Sequence, residues 1–249
     1  ANLGRNGRSC QCDYAGMLDG RRRARPWAGE FARWRGAGDA STIEATAPRA
    51  VPMLRLLTPA DFHQMPWKNG AGRTTEIAVY PPGATLDAFL WRVSVADVER
   101  DGPFSRFPGI DRTIVLLEGG GMRLRSGRSD TRVTTRFAPK NLSGDDAIEC
   151  KLVAGPCRDL NAMFRRGHAR GSVAVARDGG MEFAPSFHRL AFAAVGPHEC
   201  SLPGHPSVRL EEGHALLVAA SGSGNGEGPL ATRPLATGAV ALVVSIDYP

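Results

Sequence analysis

Short runs in which apolar and polar residues alternate recur along most of this chain, and segments rich in glycine or proline separate them. The run at 91–96, WRVSVA, places Trp91 and two valines on one face and Arg92 and Ser94 on the other, because successive side chains of a strand point to opposite faces. Further runs of strand length lie at 53–58, 74–80, 114–117, 122–125, 132–137, 148–153, 172–176, 189–194, 207–210, 215–219 and 240–246. Many short strands between turns predict an all-β sandwich or barrel and give no support to a doubly wound sheet.

Two short helical turns are predicted between these strands. Thr58 offers an N-cap hydroxyl, Pro59 suits the first helical position and Asp61 places an acid at the third. Asp159 can cap a second turn through 162–164. We therefore expect a β protein with few short helices.

The charge of the chain is concentrated at its N-terminal end. Residues 1–52 hold nine arginines, no lysine and five acidic residues, a net charge of +4, whereas the remainder contributes only +2. The nearly balanced body gives no reason to expect a nucleic-acid partner. Residues 1–52 also lack periodicity, so we expect a disordered or non-native extension there and one folded domain at 53–249.

Hydropathy and cysteine usage bear on the compartment. No apolar run reaches the roughly 18 residues of a membrane span, and the N-terminus lacks the apolar core of a secretory signal. Five cysteines without a regular spacing favour free thiols in a reducing environment. We expect a cytoplasmic protein with no membrane partner.

Two arginines suggest a site for a small anion. Arg92 shares a strand face with Ser94, and Arg112 follows the loop that carries Phe104 and Ser105. A guanidinium offers a planar fork of donors that matches a carboxylate, and the serines can add hydroxyl donors. Phe104 can close the pocket or seal the core beneath the loop.

The arginines also have a structural interpretation. Asp111, Asp97 or Glu76 can neutralise Arg92 and Arg112 in a buried salt-bridge network. The residue pattern by itself leaves the anion pocket and the salt-bridge network open.

A second candidate wall lies between 67 and 76. Trp67 can stack on a planar ring such as imidazole, Asn69 and Thr74 are polar, and Glu76 or Asp111 can accept a hydrogen bond from an imidazole N–H. Alternatively, Trp67 plugs the end of the barrel.

Metal ligation and nucleophilic catalysis have weak support. The chain contains no His-x-His pair, and the late histidines are spaced 10, 7 and 9 residues apart, which fits no familiar site. The cysteines have no visible paired base, and no Gly-x-Ser-x-Gly elbow is present. We expect no metal and no other cofactor.

Three segments together resemble the HutD/Ves family: WKNGAGRTTEIA, WRVSVADVERDGPFSRFPGIDRTIVLLEGGGMRL and DLNAMFRRG. The sequence departs from the family pattern at Ala71, Leu160 and Ala162, and it keeps Asp159 and Asn161. The resemblance implies a cupin-like (RmlC-like) β-barrel in a bicupin arrangement and an association with histidine utilisation. It also extends the site to 67–76 and to 159–161.

The resemblance implies binding of urocanate or a related small carboxylate, such as formylglutamate, by a metal-independent regulatory protein. We also expect a homodimer. The alternative is a metal-free cupin enzyme of the isomerase or epimerase type, which needs a general base near its substrate. A third alternative is a purely structural or partner-binding β protein. The ligand-binding residues expected are Trp67, Asn69, Thr74, Glu76, Arg92, Ser94, Phe104, Ser105, Asp111, Arg112, Asp159 and Asn161.

Overall fold

The computed structural model describes residues 53–67, 70–127, 129–220 and 228–249. The extension expected at 1–52 and the site residue Asn69 lie outside these residues. Within them the structure consists of strands and a single 3-10 turn at Pro59–Asp61. The all-β architecture predicted from the alternating pattern is confirmed.

The strands are numbered in chain order. The first ten are β1 (Met53–Leu57), β2 (His63–Pro66), β3 (Gly72–Tyr80), β4 (Trp91–Val98), β5 (Gly102–Pro103), β6 (Ile110–Gly119), β7 (Met122–Ser126), β8 (Ser129–Val133), β9 (Lys140–Ser143) and β10 (Glu149–Leu152). The others are β11 (Cys157–Arg165), β12 (Arg170–Ala176), β13 (Met181–Phe183), β14 (His188–Val195), β15 (His198–Ser201), β16 (Val208–Leu210), β17 (Ala215–Ala219), β18 (Leu230–Pro234) and β19 (Val240–Asp247).

These strands form four antiparallel sheets. Sheet I has the order β2-β3-β4-β11-β6-β9, and sheet II has the order β5-β10-β7-β8. Sheet III has the order β1-β17-β14-β19-β12, and sheet IV has the order β13-β18-β15-β16. Among the described residues, the chain therefore has two pairs, each with a large and a small sheet.

Three large apolar cores hold the sheets together, and Phe89, Ile110 and Met163 form a smaller fourth cluster in the described part of the chain. Between sheets I and II, Ile114 and Leu116 pack with Met122 and Leu124. Sheets III and IV enclose a second core, and a third joins one face of sheet I to one face of sheet III. Sheet I is thus covered on both faces. One face of sheet I packs against sheet III, and the other face packs against sheet II. The candidate site lies on the face toward sheet II.

The short helix at Thr58 is confirmed as one 3-10 turn. The Thr58 backbone N–H and hydroxyl both donate to Asp61 Oδ2 at 2.9 Å, which fixes the turn that joins β1 to β2. The acid at the third position thus takes the role that the sequence assigned to it.

The helical turn predicted after Asp159 is wrong, because residues 157–165 form β11. This strand lies between β4 and β6 and pairs with both along its length. Leu160 and Ala162 pack toward sheet III while Asp159 and Asn161 point to the other face. The two flanking ladders satisfy the backbone on both sides, and this outweighs the local capping signal.

Two glycines carry the chain from sheet I to sheet II. Gly119 and Gly121 have φ angles of +85° and +82°, and a Cβ on Gly121 would lie 2.1 Å from the carbonyl oxygen of Val133. Only glycine adopts this backbone at such close approach without strain. The link brings β7 over the face of sheet I that carries Arg92 and Arg112.

Candidate functional site

Strand alternation places a polar cluster on the face of sheet I that looks toward sheet II. Its members are Arg92, Ser94, Arg112, Asp159 and Asn161, and each has a relative exposure of 8% or less. They come from β4, β6 and β11, the three central strands of sheet I. An apolar interior with five buried polar side chains is not explained by folding alone, since burying such groups is unfavourable.

The strand register fixes how these residues neighbour each other. Met163 on β11 stands opposite Arg92 on one side and Arg112 on the other. Neighbouring strands lie about 4.8 Å apart, so the backbones of the two arginines are separated by about 10 Å. Asn161 stands opposite Ser94, two residues further along the same face. Asp159 comes next on that face, opposite Ala96.

Arg92 has an acidic partner inside the protein. Its Nε donates to Glu76 Oε2 at 2.6 Å, and the side chains are 5% and 19% exposed, respectively. Glu76 stands opposite Ser94 on β3, where a register shift between Glu76 and Ala78 interrupts the ladder. The salt-bridge interpretation is therefore correct for Arg92, with Glu76 as the partner.

Arg112 has no such partner. Its Nε is buried without a hydrogen bond. Its guanidinium carbon lies 5.5 Å from the ring centroids of both Phe104 and Phe107, so two aromatic rings contact the cation. Burial lowers the pKa of Arg112 to about 10, and Asp159 opposes this shift while the like charge of Arg92 adds to it. Arg112 is thus a buried cation that no described carboxylate bonds directly.

Asp159 is the second unusual group of the polar cluster. Burial raises the pKa of Asp159 to about 7, against the attraction of Arg112 and with a small contribution from Asp97. Its Oδ2 atom is buried and has no hydrogen-bond partner. The carboxyl group can therefore change its charge near neutral pH.

Four buried polar atoms of the cluster lack partners: Ser94 Oγ, Arg112 Nε, Asp159 Oδ2 and Asn161 Oδ1. Leaving a buried donor or acceptor unsatisfied costs about 1–3 kcal/mol each. They converge on one interior face and include both donors and acceptors. A small molecule with carboxylate oxygens and a donor group can satisfy them together.

Trp67 lies beside this face at the end of the two-sheet core. Its Nε1 donates to Thr74 Oγ1 at 2.8 Å, and its ring packs against the core between sheets I and II. A Cβ on Gly72 would lie 3.3 Å from the Trp67 ring and 2.1 Å from the Asp97 carbonyl oxygen, so only glycine fits there. The hydrogen bond that Thr74 accepts from Trp67 fixes the orientation of the indole. Whether Trp67 stacks on a ligand or plugs the barrel stays a prediction.

The loop before β6 contributes as expected in part. Phe104 contacts Arg112 and packs against the core of sheets I and II, and Ser105 in the same loop is partly buried. Phe107 was not predicted, although its position three residues after Phe104 in the same loop is a usable signal. Met163 between the arginines was also missed, because an apolar residue at strand spacing looks like ordinary core.

Asp111 does not join the polar cluster. It is exposed and lies on the opposite face of β6 from Arg112, because adjacent strand residues alternate. Its carboxylate lies 3.5 Å from Arg166. The expected roles of Asp111, as a ligand contact and as a partner of the buried arginines, therefore find no support in its position.

In the described ranges, no group of three or more histidine, cysteine or acidic side chains is arranged to hold a metal ion. No described helix is long and apolar enough to cross a membrane.

Comparison with known proteins places the chain in a family. The protein-family model described as HutD matches residues 59–232 of this chain. A relative from Pseudomonas putida, an uncharacterized 21.2 kDa protein in the hutC 3′ region, is 37% identical over 157 residues, which are 63% of this chain and 82% of the relative. This chain belongs to the HutD family. The resemblance read from the sequence segments is confirmed.

Two further comparisons extend this result. Protein Ves from Citrobacter koseri is 42% identical to this HutD-family chain over 120 residues, which are 47% of the chain and 62% of that relative. The structure of HutD from Pseudomonas fluorescens SBW25, in a formate condition, has a TM-score of 0.64 at 26% identity and covers 79% of this chain and 100% of its own. The family relationship suggests a role linked to histidine utilisation.

More distant structures bear on the fold alone. A mutant of Bacillus subtilis oxalate decarboxylase has a TM-score of 0.51 at 7% identity, and it covers 77% of this HutD-family chain and 76% of its own. The cupin-like β fold expected from the sequence is confirmed. The bicupin arrangement stays a prediction, with which the two sheet pairs agree.

Proposed function

We propose that this chain binds a small carboxylate at the polar cluster without a metal ion or other cofactor, and that this binding serves the regulation of histidine utilisation. The observation that carries this proposal is Arg112, a fully buried guanidinium with an unpartnered Nε beside three other unpartnered polar atoms. An anionic ligand supplies the charge and the acceptors that the described protein groups do not.

The ligand that best fits the family relationship is urocanate, which joins a carboxylate to an imidazole ring. Arg112 and the Ser94 hydroxyl donate to the carboxylate, and the unpartnered Asn161 Oδ1 accepts from the imidazole N–H. Arg92 is already bonded to Glu76, so this pair acts as one polar unit at the edge of the cluster. Trp67 packs against the same core, and we assign to it the contact with the imidazole ring.

Calorimetric titration with urocanate, formylglutamate and histidine tests the proposal. We expect urocanate to bind and the Arg112→Gln variant to bind it about 10- to 100-fold more weakly, because a hydrogen bond to a charged group contributes about 1.5–3 kcal/mol. Arg123→Gln is a matched control, since Arg123 pairs with Asp130 on the outer face of sheet II. Absence of heat with all three ligands, or equal affinity of the two variants, contradicts the proposal.

A second function has one observation in its favour. Burial raises the pKa of Asp159 to about 7 inside the same cluster, and a carboxyl group with such a pKa suits a general acid or base. A metal-free isomerase or epimerase reaction on a small acid is therefore the alternative. Incubation with candidate acids and detection of a new product by NMR, lost in Asp159→Asn, would favour it.

The proposal also includes a cytoplasmic setting and a homodimer. Cys150, Cys157 and Cys200 are free thiols in the protein interior, in keeping with a reducing compartment. Light scattering of the purified protein tests the dimer.

A further inference from the structure

The charges of the polar cluster divide into one pair and two further groups. Arg92 and Glu76 neutralise each other at 2.6 Å. This leaves Arg112, which carries a positive charge, and Asp159, which is neutral when protonated and negative when ionised. The cluster together with Glu76 therefore has a net charge of zero with Asp159 ionised and one positive charge with Asp159 protonated.

We propose that the cluster binds a singly charged carboxylate together with one proton from solvent, and that this proton resides on Asp159 and is donated in a hydrogen bond to a ligand oxygen. This inference rests on the proposed carboxylate site. It adds the charge class of the ligand and a proton that enters with it.

The buried position of Asp159 favours this proton once a carboxylate enters. Asp159 is 2% exposed, and its unpartnered Oδ2 lies on the same face as Asn161, one strand from Ser94. Two carboxylates brought together in a buried site repel each other unless a proton lies between them. The proton comes from the buffer and adds to the Asp159 carboxylate, and no other bond forms or breaks.

The charged and titratable groups around Asp159 come from the neighbouring strands. Arg112 on β6 attracts the Asp159 carboxylate as a cation, whereas Arg92 on β4 is bonded to Glu76 on β3. Cys150 on β10 and Cys157 on β11 belong to the same core, and burial raises the pKa of each thiol to about 12, so both stay neutral.

Asp97 also influences Asp159. It lies on the opposite face of β4 and is bonded to Arg73 at 2.6 Å. Its charge contributes to the raised pKa of Asp159, after burial.

The direction of the pH dependence follows from this arrangement. With a pKa of about 7, Asp159 is mostly ionised in the empty protein at pH 8. A bound carboxylate adds a negative charge beside it and raises the pKa of Asp159 further. Binding at pH 8 therefore takes up close to one proton, and the affinity falls by up to about tenfold per pH unit above pH 7.

Calorimetric titration of the full chain with urocanate at pH 8, in HEPES and in Tris, counts the proton. These buffers differ in ionisation enthalpy, so the difference between the observed heats gives the number of protons taken up. We expect a value near one. We also expect the Kd to rise between pH 7.5 and 9, a range above the titration of a free imidazole at about pH 6.5.

Variants separate Asp159 from other sources of a proton. Asp159→Asn keeps a hydrogen-bond donor but cannot ionise, so it should bind urocanate without proton uptake and with a Kd that is constant between pH 7.5 and 9. Asp130→Asn, on the outer face of sheet II, should keep the wild-type proton uptake. Formylglutamate, which carries two carboxylates, should bind more weakly than urocanate.

The outcomes distinguish this inference from the proposed function. If urocanate binds to the wild-type chain and the heat does not depend on the buffer, proton uptake is contradicted, while the proposed carboxylate site is still supported. If formylglutamate binds more tightly than urocanate, the preference for a singly charged ligand is contradicted. No binding of either ligand overturns the proposed function and this inference with it. The buffer dependence of the wild-type heat shows whether a proton is taken up, even if Asp159→Asn fails to fold.

Discussion

Two buried arginines on the same face of one sheet have different roles because of what stands next to them. Arg92 meets Glu76 on the adjacent strand, whereas Arg112 meets two aromatic rings and no bonded carboxylate. The alternating pattern predicts that Arg92 and Ser94 point the same way. It does not tell which arginine is paired, because the partner is set by the register between β3 and β4.

Removing the partner of Arg92 should destabilise the fold. In Glu76→Gln the guanidinium stays buried at 5% exposure and loses its counter-charge. We expect the free energy of unfolding to fall by about 1–3 kcal/mol, less than for a fully buried pair because Glu76 is partly exposed. Urea unfolding followed by circular dichroism measures this change.

Glu118→Gln is the control for that variant. Glu118 is 60% exposed and pairs with Arg158 at 3.3 Å on the surface. We expect a change of no more than about 0.5 kcal/mol, since exposed ion pairs contribute little. Equal effects of the two substitutions would mean that the Arg92–Glu76 pair has no special weight in the core.

At the scale of elements, sequence patterns locate the long strands well. The run at 215–219 is a strand with those same bounds, and the run at 91–96 lies within β4. The short strands β5, β13 and β15 carry no pattern long enough to show a period of two. Lys140 and Asn141 follow Pro139, which favours a turn, and nevertheless begin β9, because β6 offers them a partner.

The link between β6 and β7 is an element whose sequence requirement can be tested. In Gly121→Ala the new methyl group would lie 2.1 Å from the Val133 carbonyl oxygen at a φ of +82°. We expect a loss of more than about 2 kcal/mol in the free energy of unfolding, since both strain and overlap oppose the substitution. Urea unfolding of the purified variant gives this value.

Gly155→Ala separates the two causes. Gly155 has a φ of +75°, but a Cβ there would meet nothing within 4 Å. It therefore reports backbone strain alone, about 1–2 kcal/mol. A loss in Gly121→Ala no greater than in Gly155→Ala would show that the close approach to Val133 is relieved at little energy.

At the scale of the whole molecule, the two sheet pairs meet through sheets I and III. A cluster of aromatic side chains lies at this contact. Trp91 Nε1 donates to the Tyr248 hydroxyl at 3.2 Å, and His188 Nδ1 lies 3.2 Å from the same oxygen. Tyr80 stacks on Trp91 with ring centroids 5.9 Å apart. Tyr80 and Trp91 pair with each other on β3 and β4, and only the packing of sheet I on sheet III brings His188 and Tyr248 to them.

His188 should make this contact sensitive to acid. Burial lowers its pKa to about 4, so the folded protein holds it neutral while the unfolded chain takes up a proton below about pH 6.5. The stability that neutral His188 contributes is complete above pH 6.5 and is lost as the pH falls toward 4. We expect wild-type stability to drop by about 2 kcal/mol more than that of His188→Gln between pH 7.5 and 5.

Chemical unfolding of the wild type and the variant at both pH values measures this difference. Tyr248→Phe serves as the control, because it removes the hydroxyl at this contact and retains the titrating imidazole. Its pH-dependent loss should therefore persist. If His188→Gln loses as much stability as the wild type on acidification, another group causes the acid sensitivity.

The amino-acid sequence alone predicts the all-β class, the faces of the long strands, the family and the shared face of Arg92 and Ser94. These follow from a period of two residues and from local motifs, which act over a few positions of chain. The folded structure was needed to show that Glu76 pairs with Arg92, that Asp111 points away and that Asp159 lies buried in a strand near Arg112. Strand register and burial arise when segments far apart in the chain pair and pack, and no local pattern encodes which side chains then lack a partner.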